Sequence, residues 1–150
     1  MTAHLALRPY TPADLDACTA IWRAASNAGH PFLSREDLKA DEALVREVYF
    51  PRAAITLACD GGAPVGFVAM IGAFIGGLFV APDQHRRGIG RMLVEAVAHT
   101  HGPLMVEVYE ANSGARQFYR ALGFSETGHR GFDDRGRPLP LIRMEQRGHA

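Results

Sequence analysis

The apolar positions change period several times along the chain, and those changes predict its elements. Leu5 to Arg8 reads as a short strand closed by Pro9. Thr11-Pro12-Ala13-Asp14 reads as a helix start: Thr11 can cap, Pro12 suits the first helical position, and Asp14 favours the positive helix end. Leu15, Cys18, Ile21 and Trp22 then recur at helical spacing as far as about Ala25. A loop is expected over 27–33, broken by Gly29 and Pro31. Ser34 begins a second helix with Asp37 in its first turn. Leu38, Leu44, Val45 and Val48 give that helix its buried face, and Pro51 is expected to stop it.

Beyond Pro51 the pattern turns extended. Ile55 to Cys59 and Val65 to Met70 flank Asp60-Gly61-Gly62-Ala63-Pro64, a hairpin signal, and Phe74 to Val80 predicts a further strand ended by Pro82. From Gly88 the period is helical again, with Ile89, Met92, Leu93, Ala96, Val97 and Thr100 on one face. Gly102-Pro103 ends that helix, Leu104 to Val108 reads as a buried strand, and Ser113 to Leu122 as a short helix ended by Gly123. Phe124 to Thr127 and Leu139 to Met144 are the last strands, joined through the polar turn Asp133-Asp134-Arg135-Gly136. The resulting order, β-α-α-β-β-β-α-β-α-β-β, predicts an α/β fold of the α+β kind: one mixed sheet with helices on both faces. No internal repeat or linker divides residues 1–150, so a single domain is expected.

Charge and cysteine content narrow the function. Lys plus Arg and Asp plus Glu number 16 each, so no global field draws in nucleic acid or anionic lipid. Cys18 and Cys59 are far apart and in no metal-ligand spacing, which favours buried free thiols in a reducing compartment over a disulfide. No apolar run approaches the roughly 18 residues of a membrane span, and Met1 to Arg8 holds no signal-peptide core. A soluble cytoplasmic protein with no metal, nucleic-acid or membrane partner is expected.

The strongest chemical signal is Gln84-His85-Arg86-Arg87-Gly88-Ile89-Gly90-Arg91, set between a strand and an amphipathic helix. The unpaired amides of a helix start, with the helix dipole, form a site for phosphate oxygens. Gly88 and Gly90 let a diphosphate approach the backbone, and Arg86, Arg87 and Arg91 add positive charge. The alternative is a glycine-punctuated turn with exposed arginines. A dinucleotide-binding fingerprint would need a small residue where Leu93 stands, and the Gly-Lys-Ser/Thr of a P-loop is absent.

These residues resemble the GNAT acetyltransferase motif Gln/Arg-x-x-Gly-x-Gly/Ala, here His85-Arg86-Arg87-Gly88-Ile89-Gly90 after the strand Leu78-Phe79-Val80-Ala81-Pro82. A second signature of that family follows: Asn112-x-x-Ala115-x-x-Phe118-Tyr119-x-x-x-Gly123-Phe124. His30-Pro31-Phe32-Leu33 and the tail from Asp133 to Leu141 resemble the small bacterial YjaB-type subgroup. The resemblance implies a GNAT-like, mostly antiparallel sheet that splays open between the Phe74 to Val80 and Leu104 to Val108 strands. It implies acetyl-CoA as cofactor, its pantetheine paired with backbone around Phe79 and Val80 and its diphosphate on the amides from Arg86 to Arg91. His85 departs from the usual Gln or Arg, a shorter donor that is often neutral. Homodimers being common in the family, a second copy of the chain is among the implied partners.

Acyl transfer to an amine needs a neutral nucleophile and a proton for the departing thiolate. Tyr119 falls on the family's general-acid tyrosine and is protonated at neutral pH; without the motif it reads as a packed aromatic. Asn112 resembles a cofactor-contacting position, but an Asn at a helix start also caps. Many relatives carry a Glu on the strand before the phosphate loop, where this chain has Ile75-Gly76-Gly77-Leu78. Glu107, alone between Val106 and Val108, is the candidate substitute base, expected to face a cleft, water or a cationic partner; placement at the sheet edge is the alternative. His30 is the other candidate base, in a loop resembling the acceptor-site wall, with Phe32 beside it as a second acceptor-binding residue; Trp22 is either pocket lining or core. Asp133 and Asp134 read as turn residues, with a grip on a cationic amine as the alternative. The acceptor is then a primary amine of a small molecule or protein. The missing strand carboxylate and His85 also motivate a non-catalytic CoA-binding or sensing domain.

Overall fold

In a computed structural model, which describes residues 4–147, strand β1 (Leu5–Pro9) leads through a 3-10 turn (Pro12–Asp14) into helix α1 (Leu15–Gly29). The ends of the expected 1–150 domain, residues 1–3 and 148–150, lie outside the described residues. Thr11 takes the N-cap position as expected, but its hydroxyl accepts no capping bond. The Asp14 carboxylate accepts instead, from the Thr11 amide (2.9 Å), the Thr11 hydroxyl (3.2 Å) and two Arg8 nitrogens (2.8 Å each). Helix α1 runs on to Gly29, because Asn27 and Ala28 continue its spacing and nothing before Pro31 breaks it. The expected loop therefore shrinks.

Ser34 caps α2 (Arg35–Leu44): its hydroxyl accepts from the Asp37 amide at 3.0 Å, and the Asp37 carboxylate accepts from the Ser34 amide at 3.3 Å. Pro51 does not stop this helical stretch. A π turn over Val45–Tyr49 widens the ladder, Phe50 donating to the Val45 carbonyl, and a last turn, α3 (Phe50–Arg52), follows. A proline in a helix lacks its N–H and crowds the carbonyl four residues back, and a widened turn relieves that crowding.

Strands β2 (Ala54–Asp60), β3 (Ala63–Ile71) and β4 (Phe74–Val80) form an antiparallel meander, with β1 on its outer edge. Helix α4 (Ile89–His101), strand β5 (Met105–Tyr109), helix α5 (Ser113–Ala121), and strands β6 (Phe124–Arg130) and β7 (Leu141–Gln146) complete the chain. β7 starts later than expected because Pro138 and Pro140 bring no amide to a ladder. The sheet order is β1-β2-β3-β4-β5-β7-β6, antiparallel except where β4 meets β5. Those two pair only as Phe74↔Met105 and Ile75↔Val106. Beyond that point β4 stays with β3 and β5 with β7, and the sheet opens between them as the resemblance implied.

Helices cover both faces. On one, Leu93, Val94 and Val97 of α4 and Tyr119 of α5 pack with Val68, Ile75, Val106, Phe124 and Met144. On the other, Cys18, Ile21 and Trp22 of α1 pack with Phe50, Leu57, Cys59 and Phe67. Trp22 is thus core and not pocket lining, and both cysteines are buried free thiols. Among the described residues no helix is long and apolar enough to cross a membrane.

Candidate active site

The open seam has two sides, built by different means. On the donor side, α4 begins with Gly88 as its N-cap at φ +76°, in the left-handed region glycine adopts freely. Arg86 holds φ +73° without that freedom, a local strain of about 1 kcal/mol that orients the loop. Met92 makes the first bond of the helix, onto the Gly88 carbonyl (2.9 Å), so the amides of Ile89, Gly90 and Arg91 have no acceptor within the helix. A methyl group on Gly88 would meet no atom within 4 Å, so the space beside the start of the helix is open. The cradle fits a diphosphate.

The loop's side chains behave differently from expectation. Arg87 donates to Asp60 (2.8 Å) and Gln84 (2.6 Å), pinning the loop to the end of β2, and Arg91 lies along the helix on Glu95 (3.3 Å). Of the three arginines, Arg86 alone has no ion-pair partner among the described residues. The His85 ring turns back, its Nε2 3.2 Å from the Val80 carbonyl, so it holds the strand end. Ile89 is buried among α4's core contacts and offers the cradle only its amide. Gly90 has a packing reason as well: a methyl there would sit 3.1 Å from Phe118 Cζ. Phe79 packs tilted against Phe67, with ring centroids 5.5 Å apart, at the edge of the α1 core.

Tyr119 is 5% exposed and edge-on to both Phe118 and Phe124 (5.0 and 5.1 Å). Burial alone raises its phenol well above the usual tyrosine range. Asn112 caps α5, its Oδ1 accepting from the Ala115 amide at 3.0 Å. Its other amide atom, Nδ2, lies where a methyl on Gly29 would be 3.6 Å away, so the end of α1 abuts it.

The other side is a set of side chains from three distant segments. His30 and Phe32 from the α1–α2 loop meet Tyr109 at the end of β5, with ring centroids 5.1 Å from Tyr109 in each case. The Tyr109 hydroxyl donates to Asp133 (2.9 Å), a buried carboxylate that also accepts from Arg137 Nε (2.7 Å) and from the amides of Arg135 (3.0 Å) and Arg137 (2.9 Å). Arg137 and Arg135 reach across to Asp41 of α2 (2.9 and 2.7 Å). Burial lowers the His30 pKa below its ordinary 6.5, the Asp41 charge opposing it, so the imidazole is neutral at neutral pH. Burial raises the Tyr109 phenol, and its bond to Asp133 raises it further. Burial would raise Asp133, but its bonds from Arg137, Tyr109 and Arg135 outweigh that and hold it below the usual value.

Asp133 is thus saturated and not free to grip an amine, and Asp134 is spent on Arg130 (2.8 Å). Glu107 has the cationic partner its sequence position demanded: Arg130 binds it through two nitrogens at 3.1 and 2.9 Å. Tyr109, Arg137 and Asp41 were missed from sequence. Tyr109 was recoverable as the residue two beyond Glu107 on the same strand face, whereas Asp41 gives no local signal.

The chain matches the family model for an acetyltransferase (GNAT) domain over residues 51–126, from β2 through the phosphate loop to β6. The chain belongs to the GNAT acetyltransferase family. It is accordingly an N-acetyltransferase that takes its acetyl group from acetyl-CoA. It is 39% identical to peptidyl-lysine N-acetyltransferase YjaB of Salmonella typhimurium over 126 residues, 83% of this chain and 86% of that protein. The solution structure of apo YjaB from Escherichia coli superposes with a TM-score of 0.89 at 34% identity, covering 97% of this chain and 99% of that one. PaiA N-acetyltransferase of Thermoplasma acidophilum, solved in complex with coenzyme A, shares the fold at a TM-score of 0.77 and 17% identity, covering 95% of this chain and 98% of that one.

Proposed function

We propose that the protein acetylates the side-chain amine of lysine in proteins, in the cytoplasm, with acetyl-CoA as donor. The observation that carries this reading is the match to the peptidyl-lysine acetyltransferase over most of both chains. The mouth supports it, because an aromatic wall of His30, Phe32 and Tyr109 suits the apolar stem of a lysine. Two buried free thiols fit a reducing compartment.

When bound, acetyl-CoA supplies an activated thioester. The amides of Ile89, Gly90 and Arg91 would hold its diphosphate, with Arg86 adding charge, and the unpaired edge of β4 at Phe79 and Val80 would offer backbone to its pantetheine. Tyr119 keeps its proton across the working pH range and would be the donor to the departing thiolate. His30 is the better-supported base. It is neutral and beside the mouth, whereas the Glu107 carboxylate is held by two Arg130 nitrogens. Glu107 then acts through Arg130, tying β5 to the end of β6.

The test is incubation with acetyl-CoA and a lysine-containing peptide, followed by free-thiol release and mass change of the peptide, with a small primary amine as comparison acceptor. Peptide acetylation lost in Tyr119→Phe supports the reading. Saturable acetyl-CoA binding without transfer to any acceptor overturns it in favour of a binding domain.

A further inference from the structure

Next to the mouth lies a feature the reaction does not use, a groove of about 510 Å³ lined by Glu107, Thr127, Gly128, His129, Arg130, Arg143 and Glu145. Its floor is the face of β5 and β7 opposite the α4 core, since Val106, Val108, Ile142 and Met144 point into that core and their neighbours point the other way. Across the floor the register gives three rows: Tyr109↔Leu141 at the mouth, then Glu107↔Arg143, then Met105↔Glu145. Successive rows are two residues apart along each strand, about 7 Å.

The charges in these rows are unequally satisfied. Glu107 is neutralised by the two-point pair with Arg130, and Arg130 is further held by Asp134. Arg143, in the same row, is exposed and has no hydrogen-bond or ion-pair partner among the described residues. In the next row Glu145 accepts, among the described residues, only from the Thr127 hydroxyl (2.6 Å), which leaves its charge uncompensated. Moving away from the mouth, a ligand therefore meets an unpaired cation first and an unpaired carboxylate second.

We propose that this groove reads the sequence around the acceptor lysine: Arg143 selects an acidic residue two positions from it, and Glu145 a basic residue four positions from it. The spacing follows because an extended peptide places every second side chain on one face at the same repeat of about 7 Å as the rows beneath it. The inference rests on the lysine-acetyltransferase reading above. Arg143 and Glu145 are specificity residues, remote from the thioester, so their effect falls on KM and not on kcat.

The test uses three nonapeptides with a central lysine. One has glutamate two residues and arginine four residues away on both sides, one has those charges exchanged, and one has alanine at all four positions. The first two carry the same net charge, so long-range attraction is equal. The native enzyme is expected to favour the first over the second at least fivefold in kcat/KM, through KM. Arg143→Gln should remove most of that preference, and Arg143→Glu combined with Glu145→Arg should reverse it, an outcome that loss of structure cannot mimic. Equal use of all three peptides by the native enzyme, or an unchanged preference in the double exchange, overturns the inference while leaving lysine acetylation standing. No acetylation of any peptide removes both.

Discussion

The two sides of the seam differ in what they are made of. The donor side is backbone: free amides at the start of α4, a left-handed Gly88 and Arg86, and a strand edge without a partner. Its arginines mostly serve the loop itself. The proposed acceptor side is side chains, with His30, Phe32, Asp41, Tyr109, Asp133 and Arg137 locked in one network of ring contacts and charged hydrogen bonds. A backbone site tolerates exchange of its side chains and fails when something fills it. A side-chain network fails when any charged member leaves its partners buried and unpaired.

The contrast can be broken most severely at Gly90. Gly90→Glu brings a side chain onto Phe118 and a negative charge to the cradle. Saturable acetyl-CoA binding should disappear in calorimetry, whereas Arg86→Ala should weaken it by less than about tenfold. Tyr119→Phe comes next, with kcat falling on the order of 100-fold and acetyl-CoA affinity unchanged within about twofold. On the proposed acceptor side, Arg137→Ala takes a cationic partner from both Asp133 and Asp41, leaving them to Tyr109, the loop amides and Arg135. The expected result is about 2 kcal/mol of lost stability in a denaturant melt, discounted for partial exposure, with a raised acceptor KM and intact donor binding.

A smaller effect sharpens the comparison through pH. His30 must be neutral to accept a proton, and burial lowers its pKa, so beyond the steady slope set by protonation of the lysine amine kcat/KM should show a further acid limb only below pH 6.5. His30→Gln should abolish that acid limb. If the limb survives unchanged, another group is the base. The smallest effect separates the two roles of Asn112. Asn112→Ala should cost about 1 kcal/mol through the lost cap. Asn112→Asp keeps the capping oxygen, so any loss of acetyl-CoA affinity in that variant reports a cofactor contact.

The same contrast explains what could be read from the chain. The Phe74–Val80 strand, the helix starting beyond Gly88 and the hairpin at Asp60-Gly61-Gly62 are local patterns, and the donor site follows from them because its atoms are contiguous. The errors there concern where side chains point: Arg87 onto Asp60 and His85 onto Val80. The acceptor site was half legible. His30, Phe32 and Asp133 stood out by residue type, but what joins them is a pair of arginines meeting a carboxylate 94 and 96 residues away. No periodicity encodes such a contact. Pro51 was misread for a different reason, since a π turn can absorb a proline that an α-helix cannot.

That long-range link from Asp41 to Arg135 and Arg137 also has a consequence for how the protein is born. Domains begin folding from the N-terminus during synthesis, and contacts between distant segments form late. The α2 segment leaves the ribosome early and must wait for the β6–β7 loop, near the end of the chain, before its carboxylate is matched. The core beneath α4, which takes Ile142 and Met144 from β7, waits for the same late segment, so the two sides of the seam close together at the end of synthesis.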